Sequence, residues 1–300
     1  MPPAAPDSMK SAAAAQTPVV LDLDASVGAL PGALRLDLRD WHDRLRFACS
    51  QRALARFGER LEQTLPARHG CAFLGSGDFH HLSLPLIRRA ARAHGRLQVV
   101  VFDNHPDNMR FPLAIHCGSW VAKVAALPQV ARVHVVGITS TDIGLAHAWE
   151  NRLRPLYRGK LRYWSSQVAV GWARRLGLGA AVRSHASVDA ALDAFLAEIE
   201  TGRDPIYLSI DKDVLRPEDA MTNWDQGLMR ADALLAAVAR LRSRIVASDI
   251  TGEISIAAYP QWWKRALAAA DGQSPPDADA LRLWQAQQHR INLRLLSALG

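Results

Sequence analysis

RLQVVVFDNHPDNM (residues 96–109) joins an apolar run, Leu97 to Phe102 broken only by Gln98, to a loop that packs two carboxylates and an imidazole into the five positions 103–107. The run reads as a buried strand, and the crowding of Asp103, His105 and Asp107 at its end sets like charges close together. Such a cluster is either a solvated loop or half of a site whose other half lies elsewhere in the chain.

Outward from this strand, short apolar or β-branched runs alternate with stretches of helical period. Residues 18–23, 71–75, 97–102, 132–137, 206–210 and 245–249 read as strands; 41–64, 82–94, 117–126, 188–200 and 230–242 read as helices. This alternation predicts a single three-layer α/β domain, a mainly parallel sheet with helices on both faces. Segment 138–187 carries a weaker pattern, with a helix expected around 143–153 and a strand around 160–164. Residues 1–17, rich in Ala, Pro and Ser, read as a disordered leader before a domain spanning 18–270. DGQSPPDAD (271–279) reads as a turn-rich connector to a last amphipathic helix at about 279–298.

Composition excludes several function classes. No apolar stretch approaches the roughly 20 residues that span a bilayer, and no signal peptide is evident, so a cytoplasmic protein is expected. Cys49, Cys71 and Cys117 lack metal-site spacing and read as reduced, buried thiols. The net charge of +7 comes from arginines scattered along the chain, with no reader motif, which argues against a specific nucleic-acid partner. Trp262 and Trp263 read as buried by packing, with an interface anchor as the alternative.

In a parallel sheet, functional groups gather at the carboxyl ends of the strands. GSGDFHH (75–81) offers Asp78, His80 and His81 after one strand; DNHPD follows the next; DKD offers Asp211 and Asp213; and the strand at 245–249 ends on Asp249. Asp103 and His105, like Asp211 and Asp213, stand two apart, so in extended backbone each pair projects to one side. Carboxylates 4 Å apart repel by about 4 kcal/mol per pair at an effective dielectric of about 20, so a cation should sit among them. Two divalent ions would balance Asp103, Asp107, Asp211 and Asp213. Oxygen and imidazole donors without thiolate favour Mn²⁺, with Fe²⁺, Co²⁺, Ni²⁺ or Zn²⁺ as alternatives and Ca²⁺ disfavoured. The bland alternative is that each acid only caps a helix or shapes a turn.

The order of these motifs resembles the arginase and agmatinase family of ureohydrolases over residues 70–255. Gly77-Asp78-Phe79-His80 is similar to the family's GGDH segment, Asp103-Asn104-His105-Pro106-Asp107 to DxHxD, His116-Cys117-Gly118 to its histidine-glycine element, and Ser209-Ile210-Asp211-Lys212-Asp213 to SxDxD. The resemblance implies two Mn²⁺ bridged by Asp103, Asp211 and a hydroxide, one ion adding His80 and Asp107, the other His105 and Asp213. The hydroxide would cleave a C–N bond of a guanidino, amidino or formimino compound, with Asp107 relaying a proton and His116 in the place of the family's proton shuttle. Asp249 would face the cationic substrate. Asp142 is assigned either to the substrate or to a helix N-cap, and Asp225, with Arg230, to ligand choice. Family members are commonly trimers or hexamers, so self-association is expected.

The chain departs from the pattern in places. Phe79 occupies the position of the first-motif histidine, so His80 is preferred over His81, which reads as a core residue. Arg216-Pro217 replaces the usual Asp-Pro, and Met221 to Gly227 replaces a Gly-Thr-rich loop. The segment between Asp107 and His116, where arginine-specific members bind the amino-acid end of the substrate, is short, so arginine is not the favoured substrate. The rival readings are a single-zinc deacetylase-like amidohydrolase and a non-catalytic metal-binding relative acting as a binding module.

Overall fold

Strand β5 (Leu97–Phe102) forms as the apolar run requires, and its neighbours in the sheet come from distant parts of the chain. The computed structural model describes residues 17–112, 114–257, 259, 261–262, 264–265 and 278–300. The expected leader lies almost wholly outside the described residues, as do Trp263 and most of the connector 271–279.

The strands are β1 (Val19–Asp22), β2 (Leu34–Asp37), β3 (Ala48–Ser50), β4 (Ala72–Phe73), β5, β6 (Ala114–His116), β7 (Val130–Ile138), β8 (Leu161–Ser166), β9 (Val182–His185), β10 (Ile206–Asp211) and β11 (Ile245–Thr251). Nine of them form one sheet in the order β2-β1-β4-β11-β10-β5-β7-β8-β9, with every pairing parallel. The other two, β3 and β6, form a small antiparallel ribbon that pairs Ala48 with His116.

The helices are α1 (His42–Leu45), α2 (Gln51–Thr64), α3 (Ser83–His94), α4 (Val121–Ala125), α5 (Leu153–Tyr157), α6 (Gly171–Arg175), α7 (Val188–Ile199), α8 (Ala231–Leu241) and α9 (Ala278–Leu299). Alternation along the strands divides the core between the two faces of the sheet. Val99 and Val101 join Leu21, Val133 and Val135 under α2, α3 and α4. Val100 and Phe102 join Val136, Leu208 and Ile210 under α7, α8 and α9. The result is a single three-layer α/β domain.

Several expectations are corrected. Residues 41–64 are not one helix: the backbone turns at Arg46 and Phe47, enters β3, and only then forms α2, which Ser50 caps through a hydrogen bond from Ala53 N. No helix covers 143–153; a 3-10 turn at Thr141–Ile143 and turns replace it, and α5 begins at Leu153. Trp262 is 73% exposed rather than packed away. The final helix packs against α8, and its polar side chains reach the loops below the site. Among the described residues, no helix is long and apolar enough to cross a membrane. Cys49, Cys71 and Cys117 are buried, and among the described residues they form no disulfide.

Candidate metal centre

Strands β5 and β10 are adjacent and β10 lies beside β11, so the loops leaving β5 and β10 open side by side, and the segment after β4 reaches them across β11. Asp211 ends β10 and turns its carboxylate to accept from its own loop, Asp213 N to Oδ1 at 3.1 Å. Asp103 accepts in the same way from His105 N at 2.6 Å, and Asp213 Oδ1 accepts from Asn104 N at 3.1 Å, which ties the two loops together. Asn104 fixes the arrangement further: its side chain donates to Asp225 and accepts from Thr139.

All six expected ligands, His80, Asp103, His105, Asp107, Asp211 and Asp213, line one cavity of about 450 Å³. Among the described residues, two groups place donor atoms close enough to hold a metal ion: His80 with Asp103 and Asp107, and Asp103 with His105 and Asp213. Asp103 belongs to both. Asp211 adjoins the first, its Oδ2 lying 3.4 Å from Nδ1 of His80.

Hydrogen bonding sets the imidazole tautomers. Ser209 gives its hydroxyl proton to Asp249 Oδ1 at 2.6 Å, so its oxygen accepts from Nε2 of His80 at 3.0 Å. The other ring nitrogen, Nδ1, faces Asp107 at 3.0 Å and Asp103 at 3.2 Å. In the same manner Nε2 of His105 bonds Asp225 Oδ1 at 2.5 Å, which turns Nδ1 toward Asp213 at 2.9 Å. An acid behind the far nitrogen of a histidine is the usual way to orient a metal ligand. A lone pair aimed at carboxylate oxygens is repulsive unless a proton or a metal lies between them. Asp103 Oδ2 is buried and accepts no well-aligned hydrogen bond, although the Nδ1 contact is close. An orphaned carboxylate oxygen, two inward Nδ1 atoms and an all oxygen-and-imidazole donor set fit divalent transition metals.

The charge balance agrees. Burial raises Asp107 to about 7, with the neighbouring Asp103 adding to the effect, and burial with Asp103 does the same for Asp213. Asp211 is pushed well above the carboxylate range by burial and by Asp213. Burial works to raise Asp103 as well, but the close His105 and His80 together outweigh it and hold this carboxyl at about 2. Both histidines are raised against the opposing effect of burial, His80 by Asp103 and Asp107, His105 chiefly by Asp213. A metal pair would replace these protons.

Backbone strain marks the same loops. Asp107 adopts φ +46, and its carboxylate accepts a 2.5 Å hydrogen bond from Trp120 Nε1. Gly252 has φ +87, and a Cβ there would stand 2.4 Å from Asp211 Oδ1, so only glycine lets β11 leave beside the acid.

The remaining expected residues fall in three places. His116 and Asp142 line the cavity. Nδ1 of His116 accepts from Gly118 N at 3.0 Å, and burial lowers its pKa to about 4, so the ring is neutral near pH 7. Asp142 is not a helix N-cap: it lies inside its 3-10 turn, and burial raises its carboxyl. Asp225 also lines the cavity, but its carboxylate is engaged with His105. Arg230 does not accompany it; its guanidinium lies 3.8 Å from Asp189 on the surface. Asp249 is a correction. It does not line the cavity and is fully buried, accepting from Ser209 and, at 2.5 Å, from Tyr207 OH. The reason is register: β11 runs on to Thr251, so Asp249 pairs with Ser209, one layer below the strand edge where Asp211 stands. Asp78 is likewise structural, fully buried against Arg46 Nε at 2.7 Å and Tyr259 OH at 2.5 Å. His81 is buried outside the cavity, and burial lowers its pKa to about 3.

Sequence reading gave Ser209 no role beyond its place in the SxDxD motif, and Tyr207, Trp120, Phe47 and Trp224 none. A signal existed for two of them: Tyr207, Ser209 and Asp211 alternate on one face of a strand whose other face is Leu208 and Ile210.

The sequence model of the Arginase family matches residues 3–255. The chain belongs to the arginase family. An uncharacterised protein of Thermotoga maritima is 28% identical over 241 residues, 80% of this chain and 71% of that protein. Among solved structures, proclavaminate amidino hydrolase from Streptomyces clavuligerus has a TM-score of 0.53 at 16% identity, covering 95% of this chain and 92% of that one. Formimidoylglutamase from Bacillus subtilis has a TM-score of 0.56 at 14% identity, covering 94% and 86%. Formiminoglutamase from Trypanosoma cruzi, solved with Mn²⁺, has a TM-score of 0.50 at 15% identity, covering 83% and 71%. These likenesses show the arginase fold. Within that fold, this arginase-family chain holds its six candidate ligands in one cavity and backs His105 with Asp225 and His80 with Ser209, which is in turn bonded to Asp249.

Proposed function

We propose that the protein is a divalent-metal hydrolase, with Mn²⁺ the favoured ion, that cleaves a C–N bond in a small cationic guanidino, amidino or formimino compound. The observation that carries this reading is the sharing of Asp103 between two donor groups, each completed by an inward imidazole nitrogen and a further acid. Membership of the arginase family, and the amidino and formimino chemistry in the names of the structural relatives, support it.

His80, Asp103, His105, Asp107, Asp211 and Asp213 would hold the ions. A metal pair supplies Lewis acidity that brings the pKa of water near neutrality. The chain's own groups supply the rest. Asp107, which lines the cavity, would take up a proton from the attacking water and pass it to a departing nitrogen. His116, neutral and lining the cavity, is placed to exchange protons with solvent. Asp142 and Glu150 add more negative charge to the wall than Arg110 offsets, which favours a cationic substrate. Hydrolysis consumes one water: its oxygen becomes the carbonyl of urea or an amide, and its protons leave with the amine or ammonia.

The test is a panel of guanidino, amidino and formimino compounds with Mn²⁺ supplied, read as urea, ammonia or formamide release, together with metal content. Release that Asp211→Asn abolishes, with two ions per chain, supports the proposal. Silence across the panel would favour a binding role, and one tightly held Zn²⁺ per chain would favour the deacetylase-like reading.

A further inference from the structure

Phe47 has φ +65, a left-handed conformation that a bulky side chain adopts only when its surroundings impose it. The surroundings do so. Its N–H donates to Asp78 O at 3.0 Å, and its carbonyl accepts from Cys117 N at 3.0 Å. The preceding Arg46 is buried in an ion pair with Asp78 and receives Lys264 Nζ on its carbonyl at 2.7 Å. This buried polar network, absent from the proposed chemistry, has one visible effect on the cavity: it presents the Phe47 ring to it.

There Phe47 is the middle member of a wall. Its ring lies nearly parallel to His116 (6.2 Å between centroids, 15°) and to Trp224 (6.1 Å, 14°), and Phe111 meets His116 edge-on at 4.6 Å. A third ring between two others needs about 7 Å, twice the contact distance of carbon atoms, so a guest would lie against this wall rather than within it. Asp142 and Glu150 also line the cavity, whose 450 Å³ far exceeds an amidinium head and falls in the range that takes a whole small-molecule ligand.

We infer that the substrate carries its amidino or guanidino group on a flat aromatic ring, which rests on the wall of Phe47 and Trp224 while the cationic head faces the acids. The inference rests on the proposed reading of the acidic cluster as the place for that head. Aromatic pairs gain beyond area burial, and linear chains lose more rotamer freedom on binding, so both terms favour the aryl compound.

The test is calorimetric binding of benzamidine and of heptanamidine, a linear amidine with the same number of carbon and nitrogen atoms, to the full Mn²⁺-loaded protein. Benzamidine should bind at least roughly tenfold more tightly, a difference of about 1.4 kcal/mol. In Phe47→Leu and in Trp224→Leu, checked for unchanged metal content, the ratio should fall to within about twofold. Equal or tighter binding of the linear compound to the wild type overturns the inference, whatever the variants do. Tight benzamidine binding with no hydrolysis of any amidine or guanidine would sink the catalytic proposal and leave only the aryl-amidine preference of the cavity standing. Hydrolysis of linear guanidines with no aryl preference would do the reverse.

Discussion

Asp249 accepts a 2.6 Å hydrogen bond from Ser209, and by taking that proton it obliges the Ser209 oxygen to accept from His80. The relay sets the tautomer of a candidate ligand from one layer beneath it. Ser209→Ala or Asp249→Asn should therefore keep the cavity's six donors yet weaken Mn²⁺ binding by about 10–100-fold, the usual cost of losing such a partner. Asp225→Asn acts on His105 from a side chain that is 65% exposed, where water can replace the lost acceptor, so its effect should be smaller. Competition titration of Mn²⁺ against a chelator measures all three. Equal affinity in Asp249→Asn and wild type would refute the relay.

Without metal, the acid cluster should contribute stability that falls as pH rises. Asp107 and Asp213 titrate near 7 in the folded chain and near 4 when unfolded, so between those values the folded state binds more protons. Their contribution is fully present below about pH 4 and is lost as pH climbs through 7. Bound metal replaces the protons, so the gap in denaturation midpoint between Mn²⁺-loaded and chelated protein should widen from pH 5.5 to pH 8. A gap that narrows over this interval would contradict the charge assignment.

The same residues show how far sequence carried. DxHxD and DxD were legible because strand ends and a spacing of two are local properties, and both survive as geometry. Asp249 was misplaced because its role depends on where β11 stops, and Ile250 and Thr251 look no less like strand than like loop. The break at Phe47 gave no Gly or Pro to announce it; the αL turn is imposed by Asp78, Cys117 and Lys264, all distant in sequence. Edge strands β2 and β9, LRLD and VRSH, were missed because half-exposed edges lack the apolar run that marks β5.

On the far side of the sheet, His134 is buried with Nδ1 accepting from Trp164 Nε1 at 3.1 Å and Nε2 facing Gln98 Oε1 at 3.0 Å. Burial, reinforced by nearby arginines, lowers its pKa to about 3. As pH falls below 6.5 the unfolded chain takes up a proton that the folded chain refuses, so stability is lost between about 6.5 and 3. Replacing the imidazole removes one such proton. His134→Gln should flatten the slope of stability against pH near pH 5 by about 1.4 kcal/mol per unit. Urea denaturation at pH 4.5, 5 and 5.5 gives that slope, and an unchanged value would mean that His134 is protonated in the fold.

Lys212 stands between two candidate ligands but points away from them: its ammonium is fully buried, 2.6 Å from Glu253 Oε1 and 2.9 Å from Asn292 Oδ1 on α9. Asn292 also donates to Glu253 at 2.6 Å, and Gln288 from the same helix donates to Gly252 O at 2.9 Å. The C-terminal helix thus clamps the loop after β11 to the loop after β10, beside Asp211 and Asp213. Lys212→Met strands a buried carboxylate and should cost about 3–5 kcal/mol, whereas Lys212→Met with Glu253→Gln removes both charges and should recover most of it. Urea unfolding measures the pair. If the double variant is no more stable than the single, the ion pair is not what binds helix to loop. Manganese content, read on the same samples, should follow stability, because the clamp reaches the ligands only through the position of their shared loop.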